Sequence, residues 1–102
     1  MTLQKTYLKS KPVCKVKFEL PKNYTHDAQK AQIVGDFNDW SEDAGMMKKK
    51  RNGNFVITLD LLTGAEYQFR YILDGERWEN DPGADKYIPN NICGADNSVV
   101  VV

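Results

Sequence analysis

At 102 residues the chain has the length of one domain, enough for a small core without obligatory staples. Lys plus Arg equals Asp plus Glu at 14 each, which excludes a bulk field drawing the chain to nucleic acid or to an anionic membrane. No apolar run approaches the roughly 20 residues of a spanning helix, and 11% aromatic content with only 7 glycines and 4 prolines speaks against a disordered chain.

The opening residues Met1 to Thr6 lack the hydrophobic stretch of a secretion signal, so the expectation is a cytoplasmic protein. Residues 1–12 read as an N-terminal extension, and 13–102 as the domain proper. Cys14, Val16, Phe18 and Leu20 alternate with Lys15, Lys17 and Glu19, the pattern of a half-buried strand. Pro21 to Gln29 is polar and turn-like, with a helical turn open over Asp27 to Lys30. A second strand runs from Ala31 to Val34 and ends at Gly35. A turn rich in Asp and Asn follows and carries Trp40.

Met46 to Arg51 then leads into Asn52-Gly53, a strong hairpin signal because both residues tolerate positive φ. Phe55, Ile57, Leu59 and Leu61 form one face of the next strand. After Thr63-Gly64, the residues Tyr67, Phe69, Tyr71 and Leu73 alternate with Gln68, Arg70 and Ile72, and Asp74-Gly75 makes another turn. Asn80 to Asn97 is loop-like, and Ser98 to Val102 closes the chain as a buried β-branched strand. About seven short strands without a useful amphipathic helix predict an all-β sandwich.

Catalytic chemistry finds no support here. His26 is the only histidine and sits in a polar loop, where solvation explains it better than general-base work. Asp36, Asp39, Glu42 and Asp43 cluster in one loop, where turn capping accounts for them. Lys48 to Arg51 is the one basic run and suits a solvated edge strand. Cys14 and Cys93 carry no metal-ligand spacing. Idle thiols are the simplest reading, with a disulfide between the first and last strands left open. Phosphate cradles and dinucleotide fingerprints are absent, so no cofactor is expected.

Binding fares better. The two tryptophans, Trp40 and Trp78, both follow turns, and an indole held on a loop gains most by leaving water. A pyranose ring needs a flat aromatic against its C–H face and fixed polar groups at its hydroxyl rim. Alternation puts Arg70 on the side away from Tyr67, Phe69 and Tyr71, where its planar fork of donors suits adjacent hydroxyls. Asn97 offers a donor and an acceptor. The competing readings are that Trp78 caps the core at the sheet edge and that Arg70 pairs with Glu66 or Glu79.

Gly35-Asp36-Phe37-Asn38-Asp39-Trp40, Tyr67 to Gly75, Trp78, Asn80-Asp81-Pro82 and Asp96-Asn97-Ser98 together resemble a family-48 carbohydrate-binding module. This is the isoamylase N-terminal, early-set domain, also the type of the glycogen-binding domain of the AMP-activated kinase β subunit. The resemblance covers roughly Val13 to Val102. It implies an immunoglobulin-like (early-set) β-sandwich that binds α-1,4-glucans such as glycogen, starch or maltooligosaccharides without catalysis. Trp40 and Trp78 match the stacking residues, Arg70 stands where a lysine is usual, and Asn97 matches a late asparagine. The apolar residue that enters the sugar ring would fall at Ile92 or Cys93, and Ala95 holds a threonine position.

Two residues, Glu76 and Arg77, separate the Asp-Gly turn from Trp78, where the kinase-type domain has one. Trp78 keeps the face of Arg70 only if the turn absorbs the extra residue. The alternative function is a protein-interaction module of the same fold, docking on an amylase-family enzyme or a kinase-like partner supplied in trans. Neither nucleic acid nor membrane is an expected partner.

Overall fold

The computed structural model describes residues 3–25, 28–42, 44–90 and 95–102. His26, Asp27, Asp43, Ile92 and Cys93, and the side chain of Ala95, lie outside these, so the readings placed on them go no further. The described residues form two antiparallel sheets. One has the order β1 (Leu3–Tyr7), β2 (Val13–Leu20), β5 (Phe55–Leu62), β4 (Lys48–Lys49). The other runs β3 (Ala31–Gly35), β6 (Glu66–Leu73), β9 (Ala95–Val101), β8 (Lys86–Asn90), with β7 (Arg77–Glu79) also on β6. This is the all-β sandwich that the alternation predicts, of the immunoglobulin-like type that the resemblance implies.

Apolar residues at every second position close the core between the sheets. Val16, Phe18 and Leu20 from β2 meet Ile33, Phe69, Tyr71 and Leu73 from β3 and β6, all fully buried. Phe18 and Phe69 pack edge-on with ring centres 5.2 Å apart, and Phe69 meets Tyr71 in the same way at 5.6 Å. Cys14 is a free, buried thiol on β2.

Several elements depart from the sequence reading. The N-terminal extension carries β1, paired with β2 from Leu3↔Phe18 to Tyr7↔Cys14. Only Leu3 of its five residues is buried, so its sequence shows no alternation to betray it. The helical turn lies at α1 (Lys22–Thr25), before the stretch where it was expected. The segment after Asn80 contains β8, an edge strand in which Pro89 is tolerated because no inner ladder needs its missing N–H. The Asn52-Gly53 hairpin forms between β4 and β5, but only Gly53 uses a positive φ (91°). The Thr63-Gly64 turn carries the chain from one sheet to the other.

β6 changes its partner part-way along one edge. β9 pairs with it from Glu66 to Phe69, and β7 pairs from Tyr71 to Leu73, so Arg70 sits at the changeover. Asn80 and Asp81 stitch the gap. Asp81 is fully buried; its Oδ2 accepts from the Tyr71 hydroxyl at 2.6 Å and its Oδ1 from the Gly83 N–H at 2.7 Å. Its own N–H donates to Ser98 Oγ at 2.8 Å, and its carbonyl accepts from the Tyr87 hydroxyl. Ser98 Oγ donates in turn to Asn80 Oδ1, and Asn80 Nδ2 to the Asp96 carbonyl, each at 2.8 Å.

Burial, the charge of Asp81 and the hydrogen bond to it, in that order, hold the Tyr71 hydroxyl well above the ordinary tyrosine value of 10.0. A raised folded-state value stabilises the fold fully below the unfolded value and is lost as pH climbs past it. Tyr71→Phe is expected to lower stability by about 2 kcal/mol at neutral pH, as for a hydrogen bond to a charged acceptor. Urea titrations at several pH values should also show a shallower loss of stability above pH 10.0 than in the parent chain.

Candidate functional site

Alternation sends Phe69, Tyr71 and Leu73 into the core and leaves Gln68, Arg70 and Ile72 on the outer face of β6. Pairing adds Gln32 and Val34 from β3, Trp78 from β7 and Val99 from β9, because residues directly opposite share a face. Extending the β6–β9 register by one residue sets Asn97 beside Arg70. Val34, Ile72 and Val99 are buried although they lie outside the main core. They form a small apolar floor beneath the polar and aromatic side chains of this face.

Asp74, Gly75 and Glu76 all belong to the β6–β7 turn, and Leu73 pairs directly with Arg77. The turn therefore absorbs the extra residue, and Trp78 keeps the face of Arg70. The Asp74 carboxylate clamps the turn by accepting from the N–H groups of Gln29 (2.8 Å) and Lys30 (3.1 Å), which lowers its pKa.

Arg70 and Trp78 are in direct contact. The guanidinium carbon lies 5.6 Å from the indole ring centre, within cation–π range, and Nη2 donates to the Trp78 carbonyl at 3.4 Å. Trp78 remains 38% exposed, so it caps no core. Glu66, offered as a partner for Arg70, is held instead by Lys86 at 2.7 Å. Asn97 is buried and its Nδ2 donates to Gln68 Oε1 at 3.0 Å, which couples two amides on the same face.

Trp40 arrives by a different route. β3 ends in a 3₁₀ turn, Asp36–Asn38, after which Asp39 (φ 56°) and Trp40 (φ 57°) are both left-handed. A bulky residue in that region is strained, by roughly 1–2 kcal/mol. The loop holds it there: the Trp40 N–H donates to the Gly35 carbonyl at 2.9 Å, and Asn38 Oδ1 accepts from the Gly35 N–H at 3.0 Å. Gly35 itself is required by close approach. A Cβ there would fall 2.5 Å from the Gln68 carbonyl oxygen and 2.7 Å from the Phe69 Cβ.

Asp36 does more than cap the turn. Its Oδ1 accepts from the Trp40 indole N–H at 3.0 Å, and its Oδ2 accepts from the Gln68 main-chain N–H at 2.8 Å. It thereby ties the Trp40 ring to β6 beside the amide pair. Gln32 fastens the same loop from the outer face, donating to the carbonyls of Glu42 (2.6 Å) and Ala44 (3.2 Å). Sequence reasoning missed Gln68 and gave Asp36 only a local role. Gln68 was accessible, since it lies two residues before Arg70 on the same strand face.

The structure thus brings Arg70, Trp78 and Asn97 onto one face and links Trp40 to it through Asp36 and Gln68. Two indoles, one guanidinium and two amides can stack on sugar rings and exchange hydrogen bonds with hydroxyls. Among the described residues, no group of three or more His, Cys, Asp or Glu side chains is placed to hold a metal, and no helix is long and apolar enough to cross a membrane.

The family described as the glycogen recognition site of AMP-activated protein kinase matches the chain over residues 16–102. The chain belongs to this family. It is a family of carbohydrate-binding modules, which are non-catalytic domains. No curated protein matches the chain. A solved structure that is similar is a mutant pullulanase from Paenibacillus barengoltzii complexed with maltotetraose, at 24% identity and a TM-score of 0.50. The match covers 94% of this chain but only 14% of the pullulanase, and at that identity it shows a common fold.

The Asp36 clamp is directly testable. Asp36→Ala should release the Trp40 indole N–H, seen as a shifted and faster-exchanging indole resonance in ¹H–¹⁵N spectra, while the Trp78 indole resonance stays in place.

Proposed function

We propose that this chain binds α-1,4-linked glucans, such as glycogen, starch or maltooligosaccharides, without acting on them. The observation that carries the reading is the Arg70–Trp78 contact beside the Asn97–Gln68 amide pair on one face of β6. Membership of a glycogen-recognition family supports it, as does a fold shared with an enzyme complexed with maltotetraose.

In this reading Trp40 and Trp78 offer ring faces to glucose units. Arg70, pre-set against Trp78, donates to hydroxyls without first losing side-chain freedom, and Asn97 with Gln68 supplies further polar contacts. An arginine in place of the usual lysine favours paired hydroxyls over a single one, because its donors lie in a rigid fork. The role of the chain is attachment, holding whatever it is joined to, or assembled with, on a glucan.

A shallow, partly exposed site binds weakly, because little area is buried and a flexible oligosaccharide loses freedom. Titration with maltoheptaose should change tryptophan emission saturably, with a Kd of about 0.1–1 mM. Trp40→Ala and Trp78→Ala should each weaken binding by about tenfold, the loss of one aromatic stacking contact. Absence of any response in the parent chain at millimolar sugar would overturn the reading. A response of unchanged affinity in each single variant would move the site elsewhere.

A further inference from the structure

β5 carries a strand edge that the rest of the described chain leaves uncovered. β4 is only Lys48–Lys49, paired with Val56 and Phe55. Just before it the chain departs for the other sheet, where Met46 bridges to Gln32. The direction of the free main-chain groups follows from the ladder. The Leu8 N–H donates to the Val13 carbonyl at 3.0 Å, so odd-numbered residues of β2 point at β1 and even-numbered ones at β5. Their β5 partners are Phe55, Ile57, Leu59 and Leu61. The main-chain N–H and C=O groups of Thr58 and Asp60 therefore point outward, where no described residue pairs with them.

Natural sheets blunt such edges with lysines, proline or a covering segment. β4 has its lysines and β8 has Pro89, but Thr58 to Asp60 has neither. Behind this edge lies a groove of about 320 Å³, walled mainly by Phe37, Met46, Ile57, Leu59 and Leu61. Met46 is 53% exposed on its rim. A strand laid along the edge would aim every second side chain into the groove, opposite Ile57, Leu59 and Leu61.

We propose that this edge takes an extended segment of a partner protein, added as a strand antiparallel to β5 and in line with β4, with alternate apolar side chains and an acidic C-terminal end. Orientation and charge come from the same place. A strand continuing the direction of β4 ends beside Met46 and Lys48. There Lys48 is exposed and no carboxylate among the described residues pairs with it, whereas Lys50 is engaged by Glu19. Main-chain bonds would supply the affinity and the groove the selectivity. The edge belongs to the sheet opposite Arg70 and Trp78, so a glucan and a partner strand occupy different sides of the sandwich. The inference stands apart from the sugar-binding reading.

The probe is the synthetic peptide acetyl-Val-Thr-Val-Thr-Val-Glu, titrated into isotope-labelled chain and followed by NMR. Saturable shifts are expected at the Thr58 and Asp60 amides and at the Met46 and Leu59 methyl groups, with the Trp78 indole unmoved. The same peptide N-methylated on alternate residues should bind at least about tenfold more weakly, since the edge-facing donors are gone. Lys48→Glu should reverse the preference, favouring a peptide that ends in lysine. No saturable shift at millimolar peptide, or equal binding of the N-methylated form, would overturn the proposal. An unchanged preference in Lys48→Glu would overturn the acidic end. Shifts of the Thr58 and Asp60 amides that track chain concentration before any peptide is added would assign the edge to a second copy instead.

Discussion

The candidate site rests on the buried carboxylate of Asp81. A carboxylate with no exposure must have its oxygens satisfied within the protein, because a missing partner there costs several kcal/mol. Tyr71 from β6 and the Gly83 N–H meet that demand, while Ser98 from β9 holds the Asp81 N–H. Three elements that are distant in sequence are thus fastened at one point. The fastening lies where β6 exchanges β9 for β7 along its edge. It links β7 to β9, which do not pair with each other, while the β6 ladder sets Trp78 beside Arg70.

The two halves of the site are held by different physics. Trp78 and Arg70 take their facing from strand register, so their placement is as secure as the β6 ladder itself. Trp40 depends on a strained backbone fastened by Asn38, Gly35 and Asp36. Strain of that kind persists only where the surroundings over-determine it, and such places are often functional. Asp36 joins the halves by accepting from Trp40 and from Gln68 at once.

The sandwich also separates two kinds of surface. The outer face of the β3–β6–β9 sheet is polar and aromatic over a thin apolar floor. The β5 seam of the opposite sheet is apolar, with main-chain groups at Thr58 and Asp60 that no described residue pairs. Phe37 walls that seam from the same loop that presents Trp40. A single loop therefore borders both surfaces.

Much of this was legible in the sequence. Period-two alternation in β2, β5 and β6 was plain because one face of each strand is buried, and the outward facing of Arg70 followed directly. The Gly35 to Trp40 motif and the Asp74-Gly75 turn marked both tryptophans. What the sequence could not show were strands without alternation, β1 and β8, which are held by pairing rather than by a buried face. It also left open which side Trp78 takes, since one residue in a turn reverses a strand and only the closed β6–β7 ladder decides. The roles of Asp36 and Asp81 stayed hidden for the same reason. A carboxylate in a turn looks alike whether it caps its own loop or crosses to another strand, and that choice is made by what folding brings within 3 Å of it.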